Sequence, residues 1–207
     1  CGTAVVREDK VCSVRDVTGI TLRISGDFQG GSIPIMETFS SGKESALIFS
    51  PPGGGKTTIL RDLARNLAGS GKNVSVIDER GEISGWGRYS LHGCDLLLGY
   101  PKAHGIFQAL RTLSPQVIIC DEVGSADEAD KISKAFHCGV NFIAAVHAAT
   151  PGEALRRSGI KDLFPCFDYA VFLKGCSEPG QVDRILAVEN LFPLPDDRCA
   201  WEEGKKC

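Results

Sequence analysis

Ser50-Pro-Pro-Gly-Gly-Gly-Lys-Thr-Thr58 lies between the apolar run Ala46 to Phe49 and a stretch, Lys56 to Ala68, whose apolar residues recur with helical spacing. A strand, a glycine-rich turn and a helix opening on Lys-Thr form the context that the phosphate-loop pattern G-x-x-x-x-G-K-[ST] requires. Glycines at 53, 54 and 55 let backbone N–H groups face phosphate oxygens where a side chain would obstruct them. The helix dipole adds positive potential beneath the anion. The reading places Pro52, Gly53, Gly54, Gly55, Lys56, Thr57 and Thr58 around a nucleotide. Lys56 reaches the β- and γ-phosphates, the Thr57 hydroxyl ligates Mg2+, and Thr58 touches the α-phosphate. One departure stands out: Ser50 occupies the place of the pattern's first glycine.

Working outward, short apolar runs alternate with helical segments. Val74 to Ile77, Val117 to Cys120 and Phe142 to Val146 read as buried strands, with helices near Ile106 to Leu113 and Glu128 to Cys138. Tyr169 to Leu173 and Arg184 to Val188 read as later strands, and Gly81 to Lys102 as an irregular glycine-rich stretch. Such alternation predicts an α/β domain, a mostly parallel sheet with helices on both faces. Ahead of it, residues 1 to 26 hold short alternating stretches such as Thr21 to Ile24, and Gly26 to Ser45 reads as a linker.

The chemistry-bearing residues fall at strand ends, where parallel sheets bind their ligands. Val117-Ile-Ile-Cys-Asp121-Glu122 ends in two carboxylates. Asp121 is expected to hold the metal through water, and Glu122 to polarise the attacking water. Asp78-Glu-Arg-Gly-Glu82 ends another strand. There Glu79 is a candidate to orient water or metal, although a salt-bridged turn explains the same residues. His147 ends a further strand as a candidate γ-phosphate sensor, with a capped core histidine as the alternative.

Composition narrows the function classes. A formal net charge of -3 argues against a globally basic nucleic-acid surface. No apolar run approaches the roughly 18 residues of a membrane span. The nine cysteines show no C-x-x-C spacing and read as reduced thiols. Cys199 and Cys207 flank a polar tail and could pair on oxidation. The chain opens on Cys1 and its one methionine is Met36, so further sequence is expected ahead of residue 1.

The order of phosphate loop, Asp78-Glu79-Arg80 box, Asp121-Glu122 strand and His147 strand resembles the stage III sporulation protein AA family. The more specific strings are Gly99-Tyr-Pro-Lys-Ala-His-Gly105 and Arg111-Thr-Leu-Ser-Pro-Gln116. The resemblance runs over residues 45 to 175 and more loosely over 1 to 30. It implies a RecA-like P-loop NTPase core related to type II and type IV secretion ATPases. On that basis residues 1 to 40 are a remnant of a small β-containing N-terminal domain with its linker. Residues 41 to 195 are the ATPase domain, and 196 to 207 a C-terminal tail.

The resemblance also implies ATP and Mg2+ as cofactors and a homo-oligomer, a hexameric ring. It matches Asp78 to Glu82 to an acidic box, Asp121 and Glu122 to the Walker B element, and His147 to a histidine box. An arginine given in trans by a neighbouring subunit completes such sites, with Arg80, Arg88, Arg156 and Arg157 as candidates. The ring would sit at the cytoplasmic, inner face of a membrane-embedded sporulation complex, energising transport between mother cell and forespore. Two alternatives stay open, a nucleic-acid-linked NTPase and an ATP-sensing assembly hub with little turnover.

Overall fold

The computed structural model describes residues 1–20, 26–39, 43–123, 126–148, 153 and 163–191. The strand predicted at Thr21 to Ile24, Arg156 and Arg157, and the C-terminal tail with Cys199 and Cys207 lie outside the described residues.

Seven strands form the main sheet: β3 (Ala46–Phe49), β4 (Val74–Asp78), β5 (Cys94–Leu98), β6 (Val117–Glu122), β7 (Asn141–Val146), β8 (Tyr169–Leu173) and β9 (Val182–Ala187). Their order is β5-β4-β6-β7-β3-β8-β9, parallel throughout except for β9, which runs antiparallel to β8. Strands β3, β4 and β7 are almost continuously apolar because helices cover both faces of the sheet.

Side-chain alternation divides the core between those faces. Leu47, Phe49, Ile77, Ile118, Cys120 and Phe142 point to the side holding α3 (Lys102–Thr112) and α4 (Ala126–His137), packing with Ile106, Ala109 and Ile132. Ala46, Ile48, Val74, Val76, Ile119 and Ile143 point to the other side. There they meet Ile59, Leu60, Leu63 and Leu67 of α2 (Lys56–Gly69). The predicted α/β architecture is therefore the observed one.

Two elements appear where the sequence reading placed none. The stretch read as a linker contains α1 (Ile33–Thr38), whose Ile35 is fully buried in the α2-side core. Asp62 of α2 fixes its approach, accepting hydrogen bonds from the backbone N–H groups of Gly30 (3.0 Å) and Ser32 (2.9 Å) and from Ser32 Oγ (2.8 Å). The stretch read as irregular contains β5, an edge strand in which only Leu97 is fully in the core. At the amino end, β1 (Thr3–Arg7) and β2 (Lys10–Arg15) pair as a separate hairpin. Its two turn residues, Glu8 and Asp9, both take positive φ, the geometry that a two-residue hairpin turn favours.

Candidate nucleotide site

Parallel strands put all their carboxyl ends on one edge, so the loop after β3, the acids ending β4 and β6, and His147 after β7 share that edge. Strand β7 lies between β3 and β6, setting His147 between the phosphate loop and the carboxylate pair.

The loop itself is tightly built. Gly53 and Gly55 take φ of 75° and 88°, and Gly55 forms the amino-terminal cap of α2. Ser50 is absent from the positive-φ residues, so its place in the loop demands no glycine. Its side chain instead fills the space beside Gly54, where a Cβ would come within 1.8 Å of Ser50 Oγ. Glycine at 54 thus accommodates serine at 50. Lys56 Nζ donates to the carbonyls of Ser50 (2.9 Å) and Pro51 (3.0 Å), lying back along its own loop.

A turn after β8, residues 175–180, braces the loop from outside. Gly180 N–H donates to Gly54 O (3.0 Å), and Cys176 Sγ to Pro52 O (2.9 Å). A Cβ on Gly55 would stand 2.1 Å from the Gly180 nitrogen. Gly55→Ala is therefore expected to cost about 1–3 kcal/mol through clash and left-handed strain. Urea unfolding checks this, and an unchanged midpoint would show that the turn yields.

The acids divide into two kinds. Asp78 is fully buried and turned inward, accepting from Ile83 N–H (3.2 Å), Ser84 N–H (2.8 Å) and Ser84 Oγ (2.7 Å). It holds the turn that follows β4. Glu79 is half-buried and Arg80 exposed, as is Arg88. Arg61 of α2, its side chain 2% exposed, donates to the carbonyls of Ile83 (2.6 Å) and Glu82 (3.0 Å) and stacks on Tyr89. The phosphate-loop helix and the acidic loop are thereby tied together.

At the end of β6, Glu122 Oε2 lies 3.8 Å from His147 Nδ1, so the structure brings these two predicted residues together. Asp121 is deeper and pairs with Lys102 Nζ at 2.7 Å. Burial pushes the Asp121 carboxyl up from its usual range, with Lys102 pulling it back toward the charged form. Burial alone would pull Lys102 down, but its neighbours Cys120, Asp121 and Glu128 raise it instead.

Lys102 is the site residue that reading the sequence missed. It sits in the Gly99 to Gly105 string but carried no role there. One signal was available: a lysine opening a helix opposes the helix dipole and needs nearby acids to offset it.

The donor set suits magnesium. Thr57 and Asp121 offer hard oxygen ligands, with Asp121 Oδ1 held by Lys102 Nζ at 2.7 Å. Among the described residues no group of three or more His, Cys, Asp or Glu could hold a metal. An ion of this kind would need phosphate oxygens to complete its shell, which is how magnesium is usually bound.

The profile of the family described as "Sporulation stage III, protein AA" matches residues 1–190. The Stage III sporulation protein AA of Bacillus subtilis (strain 168) is 31% identical over 201 residues, covering 89% of this chain and 64% of that protein. The chain thus spans somewhat under two thirds of that relative's length. Among solved structures, the Legionella pneumophila ATPase DotB superposes with TM-score 0.53 at 17% identity, over 68% of this chain and 43% of that one. The VirB11 ATPase of the Brucella Suis type IV secretion system, solved in complex with sulphate, gives TM-score 0.53 at 16% identity, over 77% and 54%. At such identities the likeness carries the fold, which is the RecA-like fold of the P-loop secretion ATPases. The match over residues 1–190 places this chain in the sporulation stage III protein AA family.

Proposed function

We propose that this chain binds ATP with Mg2+ on the 50–58 loop and hydrolyses it as a secretion-type motor of a sporulation transport complex. The observation that carries the reading is the shared strand edge. One edge joins a phosphate loop with its lysine, a buried carboxylate beside that loop's sheet, and the Glu122–His147 pair at 3.8 Å. Backbone amides of Gly53 to Thr58 and the Lys56 ammonium would grip the triphosphate. Thr57 and, through water, Asp121 would hold the metal, which supplies charge neutralisation for the phosphates when bound. Glu122 would accept a proton from water as general base, with His147 orienting its carboxylate or sensing the γ-phosphate. Glu79 serves as a further water-orienting group.

The family's sporulation role and the secretion-ATPase fold support a ring of subunits, a hexamer, working at the inner face of a membrane complex between mother cell and forespore. No described helix is long and apolar enough to cross a membrane, so attachment through other proteins suits this part of the chain. In the ring a neighbour's arginine would complete each site, with exposed Arg80 and Arg88 as candidates. Such an arginine is worth on the order of a thousandfold or more in rate. Turnover per subunit is therefore expected to climb steeply with protein concentration, measured by phosphate release alongside light scattering. Turnover that is flat across the assembly transition would count against the motor.

A further inference from the structure

Lys102 is an expensive residue to place where it is. Its side chain is 7% exposed and opens α3, where the helix dipole repels a cation. It is placed firmly nonetheless. Gly105 lets α3 approach β4 closely, for a Cβ there would come within 2.7 Å of Ile77 Cγ2. Gly99 N–H, in the link from β5, donates to Asp78 O (3.0 Å). From this seat the ammonium meets Asp121 Oδ1 at 2.7 Å and Glu128 Oε1 at 3.6 Å, and donates to the backbone carbonyl of Glu122. Asp78 and Glu82 lie close enough to push on the Asp121 carboxyl as well. The carboxylate expected to face a metal already has a cation of the protein's own.

We infer that Lys102 is a positioning residue: it balances the acidic end of β6 before nucleotide arrives, keeps a free divalent cation from settling on Asp121, and makes the metal enter with the triphosphate. A metal escorted by phosphate brings ligands and negative charge with it, so it competes with Lys102 far better than a bare hydrated ion. The same lysine holds Asp121 in place through the cycle. Nucleotide loading, rather than ambient metal, would then set the state of the site. This inference rests on the ATPase reading.

The test is titration of the nucleotide-free full chain with Mn2+, read by the loss of the free-ion electron paramagnetic resonance signal. Wild type is expected to bind no Mn2+ that depends on Asp121. Lys102→Met is expected to gain a site at least about tenfold tighter, by analogy with the tenfold or more by which one charge within about 4–6 Å changes a carboxylate's proton affinity. That gain should vanish in Lys102→Met combined with Asp121→Asn, and Lys102→Arg should keep Mn2+ out as wild type does. A wild-type Mn2+ site that Asp121→Asn removes would overturn the inference without any Lys102 variant. So would a Lys102→Met or Lys102→Gln protein that folds and binds no tighter. Calorimetry with a non-hydrolysable ATP analogue and Mg2+ tests the underlying reading separately. Failure there, with Mn2+ exclusion intact, would sink the ATPase reading alone.

Discussion

Lys56→Ala is expected to lower ATP turnover by about a hundredfold to a thousandfold, the range seen when one preorganised donor to a developing charge is removed. The lysine stands one residue inside α2, directly after the Gly55 cap, so its ammonium belongs to the loop rather than the core. Its bonds to the Ser50 and Pro51 carbonyls are ones that an arriving triphosphate can replace. Catalysis should suffer more than folding, because the residues that shape the loop are Gly53, Gly55, Ser50 and the brace at Gly180. The expected pattern is near-wild-type thermal unfolding, weakened Mg-ATP binding by calorimetry, and turnover at or near background. Lys56→Arg should not restore it, since a planar fork cannot stand in for a compact point charge beneath a tight loop. Normal turnover in Lys56→Ala would remove the phosphate loop from the reaction and with it the proposed function.

The readable parts of this fold were those buried on both faces. Ala46 to Phe49, Val74 to Ile77 (apart from Ser75) and Phe142 to Val146 are apolar runs closed off by polar residues, and no other element fits such runs as well. Strand β5 escaped because an edge strand needs only one buried side chain, Leu97, and glycines surround it. Helix α1 escaped for a similar reason: six residues in a glycine- and serine-rich stretch earn their place through Ile35 and the Asp62 carboxylate, both tertiary facts.

The site divides along the same line. Lys56, Asp121 and His147 stood out as candidates because each is the first polar group after an apolar run or glycine turn, and Glu122 because it adjoins Asp121. Lys102 did not, because its partner depends on β5, β4 and β6 lying side by side. Ser50 is the reverse case. A departure that looked like a weakness in the pattern becomes ordinary once Gly54 is seen to leave room for its hydroxyl.

The acidic stretch Asp78 to Glu82 admitted two readings, a chemical box or a plain turn, and the structure assigns Asp78 to the turn. Its carboxylate has no exposure and accepts three hydrogen bonds from residues 83 and 84. Truncation to alanine would leave two buried N–H groups and a hydroxyl without acceptors, each costing about 1–3 kcal/mol. Asp78→Ala should therefore destabilise the domain by on the order of 3–5 kcal/mol, a fall of roughly 10 °C in Tm for a chain of this size. Glu79, half-buried on the same loop, should behave oppositely: Glu79→Ala keeps its Tm and loses turnover. Calorimetric melting of both variants beside phosphate release separates the two roles. If Asp78→Ala melts with wild type while turnover collapses, Asp78 acts on the reaction and the turn is held by Arg61, whose guanidinium grips the carbonyls of Glu82 and Ile83 from the other side.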